Sequence, residues 1–417
     1  MSLLGEEGRL GVIVPHKFMT IQAGRALRRL VTDGHPLEEI VHFGVQQVFG
    51  RLATNYTCLL IMDRRGRADV TVERVAALDA WRYGTPGPRN IMPATELTDD
   101  PWQFADADTR AMFARVRATC GRELSEAAEI FVGVQTSADA IYIFQAAGET
   151  PDTLTLRWGG RDWPIERGVL RPCLLDAPLN PYARAEANTW MIFPYDIVQS
   201  ARTSAQVIQP DEMARRFPLC LQYLTARRAE LEDRNIVGGA AGQRQFYQFG
   251  RSQSLTKFDS PKIILPILSR EARYAFDDTD IMMTGGGNGP YYLIRPVDGA
   301  PETNFFLLAV LHHPLSEAMI RTHTSSFRGG YYSHGKQFIQ HLPVPPATQA
   351  DRAEIEALVG QLIGANDSAR AARLPHHRTM HERNAAVLRE QIEARVTDLF
   401  GLSPIDLALA KAVPIPA

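Results

Sequence analysis

The stretch QRQFYQFGRSQSLTKFDSPKIILP, residues 243–266, joins two patterns that decide how this chain folds. Its first part, up to Lys257, is polar, basic and aromatic and holds no acidic residue. After Ser260 and Pro261, the β-branched run KIILP predicts a short buried strand closed by proline. Amide, guanidinium and aromatic side chains can contact base edges, phosphates and base faces. The stretch therefore indicates either a nucleic-acid-binding segment held by a strand, or a solvated loop leading into the core.

The composition is that of a soluble globular protein with more than one core. A chain of 417 residues is too long for one ordinary core, so two domains are expected. The formal net charge of −2 means that any nucleic-acid surface must come from local clustering of cations. No apolar run has membrane-spanning length and residues 1–10 show no signal-peptide pattern, so a cytoplasmic protein is expected. The cysteines are far apart, which argues against zinc and fits a reducing compartment: Cys58, Cys120, Cys173 and Cys220.

The first 62 residues read as the end of an α/β sheet. Residues 8–15, 39–45 and 56–62 are apolar strand candidates, and residues 21–31 predict a helix. Strand, helix, strand and strand in this order predict the closing edge of such a sheet. Few residues precede it, so we expect either a small satellite unit or a chain that starts inside a larger domain.

Three motifs in this region carry a family resemblance: GRLGVIVPHKF (8–18), ALRRLV (26–31) and FGVQQVFGRLATNYTCLLIM (43–62). In this order they resemble the last third of the catalytic domain in gamma-class N6-adenine DNA methyltransferases of the TaqI type, including Eco57I-like restriction–modification methylases. In that family a Val-Phe motif supplies a ring that stacks on the flipped adenine. The resemblance assigns this role to Phe49; from the sequence alone, a core phenylalanine is the alternative.

Further motifs extend the resemblance along the chain. EIFVGVQTSADAIYIF (129–144) resembles the strand–hairpin–strand that opens the family's target-recognition domain, although Ser137 replaces a family glycine. The segment from Phe246 to Pro266 resembles the family's WYxxGR…PKIIxP block, and LPVP (342–345) its closing LPIP. VTDLFGLSPID (396–406) resembles the family's C-terminus.

A second cationic segment, FRGGYYSHGK (327–336), lies in a region without acidic residues from 318 to 350. Its glycines permit close backbone approach, while Tyr and Arg offer stacking and phosphate contact. The alternative is a surface loop. From both segments we predict these DNA contacts: Arg244, Gln248, Arg251, Lys257, Arg328, Tyr331 and Lys336.

The family's methyl-donor site has no counterpart in the sequence. The strand–FxGxG–helix that binds S-adenosyl-L-methionine (AdoMet) is absent, and TGGGNG (284–289) is followed by a strand pattern, so we interpret it as a loop between strands. Asn180-Pro181-Tyr182 lacks the second proline of the catalytic NPPY motif, and we interpret it as a turn. His376, His377 and His381 have no patterned partner ligands, so no metal site is expected.

The predicted architecture is mixed α/β and α+β. We expect a partial edge of a Rossmann-like methyltransferase sheet in residues 1–80, a linker or insertion in 81–126, a mixed α+β target-recognition domain in 127–348, and a helical C-terminal segment in 349–417.

The predicted function is sequence-specific recognition of double-stranded DNA, as one half of an adenine-N6 methyltransferase of the restriction–modification type. AdoMet would bind outside this chain, on an N-terminal methyltransferase polypeptide. Without both sites in line, the chain alone should not transfer a methyl group. The alternatives are a specificity module with no methylation role, an intact enzyme of another kind, or a non-functional gene fragment.

Overall fold

Several small β-sheets and a helical C-terminal part make up the protein, a mixed α/β structure. A computed structural model describes residues 4–44, 46–49, 56–102, 104–199, 203–234, 236, 245–285, 289–324, 326–327 and 329–414. The expected mixture of strands and helices is present, and the strands fall into six sheets among these residues. In that part of the chain no helix is long and apolar enough to cross a membrane.

The N-terminal unit is a five-stranded sheet in the order β1-β3-β2-β4-β5. Strands β2 and β4 pair in parallel, and the other neighbours are antiparallel. The apolar runs expected to be strands are β1, β2 and β3, and the expected helix is α1. The elements are β1 (Arg9–Pro15), α1 (Arg25–Thr32), β2 (Leu37–His42), β3 (Thr57–Asp63), β4 (Asp69–Arg74), α2 (Leu78–Arg82) and β5 (Arg89–Pro93).

Regular elements occupy the segment 81–126, where a linker or insertion was expected. Strand β5 extends the sheet, and helix α3 (Ala107–Cys120) buries Met112 and Phe113. Between them, Trp102 packs edge-on against Phe18 at a centroid distance of 5.4 Å. β5 and α3 each bury only one side, so both also contain polar or charged side chains. The sequence therefore showed no apolar run that would predict either element. The domain boundaries themselves remain a prediction.

The middle of the chain consists of short strands and helices. They are α4 (Leu124–Ala127), β6 (Ala128–Val132), α5 (Asp139–Tyr142), β7 (Ile143–Phe144), β8 (Gly148–Glu149), β9 (Thr153–Trp158), β10 (Arg161–Glu166), β11 (Leu170–Leu174), β12 (Thr189–Ile192), β13 (Tyr195–Val198), β14 (Ser204–Val207), α6 (Pro210–Arg216), α7 (Pro218–Ala226) and α8 (Arg228–Glu232). The expected hairpin over residues 129–144 is wrong. Strands β6 and β7 belong to different sheets, because the turn α5 redirects the chain between them.

The last part begins with strands and ends with helices. Its elements are β15 (Lys262–Pro266), β16 (Leu268–Ser269), β17 (Ala275–Asp277), β18 (Met282–Met283), β19 (Tyr291–Pro296), α9 (Asn304–His312), α10 (Pro314–His323), β20 (Ser326–Phe327), β21 (Tyr331–Ser333), α11 (Lys336–Ile339), α12 (Gln349–Ala371), α13 (Pro375–Leu399) and α14 (Pro404–Ala412). The expected helical C-terminal segment is therefore made by α12, α13 and α14.

One four-stranded sheet, β17-β15-β19-β6, separates the two largest hydrophobic cores. Successive strand residues point to opposite faces. In β15, Ile263 and Leu265 therefore join the core packed by α3 and the C-terminal helices, whereas Ile264 joins the core of the middle region. Both faces are buried, which explains why β15 reads as an unbroken apolar run instead of an alternating one.

A buried ion pair lies inside this dividing sheet. Lys262 begins β15 and Asp277 ends the paired strand β17, with the ammonium 2.6 Å from Asp277 Oδ2. Their side chains are 0% and 1% exposed. The ammonium also donates to the carbonyls of Phe258 and Thr279, at 2.9 and 3.0 Å. Asp277 Oδ1 accepts from the Thr279 amide, so most of the polar atoms of this pair are satisfied.

Lys262→Met should destabilise the protein by about 3–5 kcal/mol, because it leaves Asp277 charged, buried and unpaired. Lys262→Met combined with Asp277→Leu should lose less stability than Lys262→Met alone. Urea denaturation of both variants measures the difference. Equal stability of wild type and Lys262→Met would contradict the importance of the pair.

Candidate nucleic-acid interface

The parallel strands of the N-terminal sheet end at a common edge. β1 and β2 both run antiparallel to β3, and β2 runs parallel to β4. The last residues of these three strands therefore lie on the same side of the sheet: Pro15 of β1, His42 of β2 and Arg74 of β4. His42 pairs directly with Arg74. Ligands of open α/β sheets bind outside the carboxyl ends of the strands. This edge is the first part of the candidate interface.

The loop that follows β2 presents Phe49 to solvent with 62% of its surface exposed. The Gln46 side-chain amide donates to the Val75 carbonyl, and the Arg82 guanidinium donates to the Val48 carbonyl at 3.2 Å. Below the loop, Phe43 packs edge-on against Trp81 at 5.1 Å. The ring of Phe49 thus projects from an anchored loop and is not part of the described core.

The same edge contacts the second cationic segment. The ammonium of Lys17, just after β1, lies 5.8 Å from the ring centroid of Phe327 in β20. The N-terminal sheet and the segment 327–336 therefore border one surface. This closeness involves residues about 300 positions apart, so no local sequence pattern signals it.

The aromatic side chains of the first segment are structural. Tyr247 is fully buried and its hydroxyl donates to the Ile208 carbonyl at 2.8 Å, while its own carbonyl accepts from the Tyr142 hydroxyl. Phe249 is buried among aromatic rings, and its amide donates to the Tyr195 hydroxyl at 2.6 Å. Neither ring is therefore exposed for stacking on a base.

Arg234 fastens the first segment to the rest of the domain. Its guanidinium donates to the carbonyls of Phe246 and Gln248, at 2.8 and 2.9 Å. It also donates to the carbonyls of Thr136 and Leu231, at 2.7 and 2.8 Å. Sequence analysis missed Arg234, because its role depends on carbonyl groups that only the fold brings together.

The predicted DNA contacts of this segment differ in their surroundings. Arg251 is exposed, and its side chain makes no hydrogen bond or ion pair with any residue that the structure describes. Lys257 pairs with Glu129, which Arg295 also contacts at 2.8 Å. Burial alone would raise the pKa of Glu129, but Lys257 and Arg295 bring that pKa below its ordinary value. The charge of Lys257 is thus partly offset.

Gln248 is half-buried, and its side-chain oxygen accepts from the Gln245 amide at 3.3 Å. Arg244 lies outside the described residues.

The second segment places one tyrosine outward and the next inward. Tyr331 is 42% exposed, and the guanidinium of Arg270 lies 4.9 Å from its ring centroid. Tyr332 is buried and bonds to Glu317. Lys336 Nζ donates to the Ile130 carbonyl at 3.2 Å, and Arg328 lies outside the described residues.

Arg270 is a cation that sequence analysis missed. It is exposed, and within the described ranges its side chain has no acidic partner. Together with Tyr331 it borders an open cleft of about 1020 Å³. Its position, four residues after KIILP, is the one signal that could have drawn attention to it.

The motifs set aside as non-catalytic have structural roles. Asn180-Pro181-Tyr182 forms the expected turn, in which buried Tyr182 has φ +54° and stacks on His312 at 4.1 Å. In the glycine-rich run 284–289, residues 286–288 lie outside the described residues, and a Cβ on Gly285 would lie 2.3 Å from the amide nitrogen of Gly133. Gly285 serves close backbone packing. Among the described residues no His, Cys, Asp or Glu group could hold a metal ion.

Known proteins resemble this chain over most of its length. A family model described as Eco57I restriction-modification methylase matches residues 1–49. The type II restriction enzyme and methyltransferase RM.Eco57I of Escherichia coli is 25% identical over 83% of this chain, which spans 35% of that protein. The type II methyltransferase M.XhoI of Xanthomonas vasicola is 21% identical over 89% of this chain, and the match covers 67% of M.XhoI.

A solved structure has a similar fold. The type IIL restriction–modification enzyme MmeI, solved in complex with DNA, superimposes with a TM-score of 0.61 at 10% identity, over 98% of this chain and 49% of that chain. The predicted resemblance to restriction–modification methylases is therefore confirmed. The chain spans only about a third of the first of these curated relatives.

Arg234→Met should loosen the first segment, because four hydrogen bonds to carbonyl groups are lost. Hydrogen exchange followed by mass spectrometry should show faster exchange in peptides covering residues 245–251, whose Gly250 and Arg251 amides donate to Thr136 and Gln135. Arg215→Met, which removes an exposed pair on α6, is the matched control. Unchanged exchange in Arg234→Met would refute the anchoring role.

Proposed function

We propose that this chain, which resembles restriction–modification methylases, recognises duplex DNA and receives the flipped base as part of a site-specific adenine-N6 DNA methyltransferase. The observation that carries the proposal is the exposed ring of Phe49, on an anchored loop at the carboxyl edge of the N-terminal sheet. An exposed phenylalanine loses hydrophobic stabilisation unless a partner covers it. A base removed from the duplex needs such a stacking surface.

The topology supports a methyltransferase-like sheet edge in residues 1–80. The reversed strand β3 lies between the mutually parallel strands β1 and β2, as in doubly wound sheets that carry an antiparallel strand near one edge. Among the described residues β1 and β5 are the two end strands of this sheet, and in this proposal further strands would pair with the outer edge of β1.

The DNA-binding surface in this proposal extends from Phe49 past Lys17 to the segments 245–257 and 329–336. Arg251 and Arg270 are exposed and free of acidic partners in the part of the chain that the structure describes, so phosphate contact would not first require breaking an ion pair. Lys257 already pairs with Glu129, and Lys336 already donates to the Ile130 carbonyl. Each lysine would have to release that partner before it could contact a phosphate. Binding of DNA by the similarly folded MmeI supports this assignment.

AdoMet, in this proposal, is bound by sequence outside these 417 residues, on the same or on a partner polypeptide. Of the glycine-rich run 284–289, the structure describes Thr284, Gly285 and Gly289, and Gly285 packs closely against the backbone of Gly133. When bound, AdoMet would supply the methyl group. The residues of this chain would hold the duplex and fix the orientation of the extruded base, which is a large part of the catalysis.

Arg251→Ala and Arg270→Ala should each weaken binding to duplex DNA. Each should also reduce the slope of log Kd against log salt concentration by about 0.9. Fluorescence anisotropy at several salt concentrations measures both quantities. Arg157→Ala is the matched control, since Arg157 is exposed but pairs with Asp162 on β9 and β10. Equal salt slopes for all three variants and the wild type would place the DNA elsewhere.

Phe49→Ala should lower methyl transfer about fivefold or more, since stacking of one base on an aromatic ring contributes about 1–3 kcal/mol. Transfer of labelled methyl from AdoMet to unmethylated DNA is measured with this chain alone and with the product of the adjacent upstream gene. Phe49→Trp is the control that keeps a stacking surface. Transfer unaffected by Phe49→Ala would exclude its stacking role.

The second candidate is a specificity module without any methylation role. The cationic segments favour a specificity module and a methyltransferase part equally. Phe49 and the sheet edge favour the methyltransferase part. Salt-dependent DNA binding with no methyl transfer in the mixture would support the module.

A further inference from the structure

A cavity lies under the carboxyl edge of the N-terminal sheet, on the side that faces α10. Its volume is about 50 Å³, and its walls include His42 and Arg74 from the sheet, His16 just after β1, and Thr322 from the helix. It continues at Arg74 into a groove of about 520 Å³ between β4, α3 and α14. A groove of this volume is within the usual range of small-molecule sites.

Arg74 is the exceptional group in this cavity. Burial brings the pKa of its guanidinium below the ordinary arginine value. Within the described part of the chain, the side chain has no hydrogen-bond or ion-pair partner, and its main chain alone is bonded, from the amide to the Pro88 carbonyl. Largely buried charges in proteins are normally paired, because removal from water is costly. The guanidinium of Arg74 is therefore suited to bind an anion.

The surrounding polar groups would complement one negative charge. The described residues lining the small cavity include no aspartate or glutamate. His16 is 3% exposed, and its Nδ1 has no hydrogen-bond partner among the residues that the structure describes. His42 Nδ1 accepts from the Gly44 amide, so that Nε2 of His42 carries the proton. Burial lowers the pKa of His16 to about 4 and that of His42 to about 3, so both rings are neutral at pH 7.

Other charged groups near the groove are already engaged. Arg321 lies 3.4 Å from Glu317 and donates to the Val413 carbonyl. Arg89 is paired with Glu73 at 2.7 Å. Asp106 accepts from the amide of Thr109 and caps α3. Among the described residues that line the groove, Arg74 is therefore the one cation whose side chain has no partner.

The groove beyond Arg74 is apolar. Val72 and Val75 line it from the sheet, and Leu409 and Val413 line it from α14 and the residue that follows. The C-terminus of α10 also borders the cavity, and its dipole disfavours an anion there by a modest amount. A bidentate guanidinium–carboxylate contact is stronger than that dipole effect.

We propose that this cavity and groove bind a small organic carboxylate, with the carboxylate on Arg74 and the apolar body between β4 and α14. The ligand would connect the N-terminal sheet to the C-terminal helix, and would stabilise that contact. This inference goes beyond the proposed function, since it requires neither DNA nor AdoMet.

The test is isothermal titration calorimetry of the full chain with 3-phenylpropionate as the probe. Binding with a Kd of about 1 mM or tighter is expected, accompanied by a rise in Tm. 3-Phenylpropanol, which lacks the charge, should bind at least tenfold more weakly. Dimethyl phosphate represents the phosphodiester of DNA, and tighter binding of that probe than of 3-phenylpropionate would overturn the carboxylate assignment.

Two groove variants and one control variant separate binding at the site from non-specific binding. Arg74→Met should weaken 3-phenylpropionate binding at least tenfold, whereas Arg29→Met, which removes an exposed arginine from α1, should leave it unchanged. Ala412→Phe should fill the groove and weaken binding while Arg74 remains, which keeps the test valid where Arg74→Met fails to fold. Equal binding by the wild type and either groove variant would refute the proposal.

Discussion

The ion pair between Lys262 and Asp277 is the constraint on which the arrangement of the two large cores depends. It lies in the sheet that separates them, at the start of β15 and the end of β17. An apolar strand with both faces buried has little to fix its register, because each face would accept the same side chains. A charged pair without access to water is satisfied in one register, and that register directs Ile263 and Leu265 to one core and Ile264 to the other. The apolar residues of β15 thus supply stability, whereas Lys262 in the same strand makes the register unique.

Local patterns predicted much of the fold. The runs before Pro15, Asp63 and Pro266 are strands, and the C-terminal helices are where apolar spacing placed them. Patterns failed where tertiary contacts decide the structure. The segment 129–144 has the composition of a hairpin, yet α5 sends its two strands to different sheets. β5 shows no apolar run, because it is an edge strand with Met92 as its buried side chain.

The candidate site was predicted in part. Composition singled out the cationic segments, and the motif resemblance singled out Phe49, which is exposed and whose stacking role stays a prediction. Burial could not be inferred for Tyr247 and Phe249, since an aromatic residue beside a cation looks the same in a core and on a binding surface. Arg234, Arg270 and Arg74 were missed, because each acquires its significance from groups distant in sequence.

The hydrogen bonds of Arg234 have a consequence for evolution. Every one of them ends on a main-chain oxygen, including those of Phe246 and Gln248 in the polar segment. A carbonyl oxygen is the same whatever side chain accompanies it. Mutations that replace the outward side chains of this segment therefore leave its attachment intact. A lineage can therefore change the outward side chains of this surface while the scaffold that displays them is inherited unchanged.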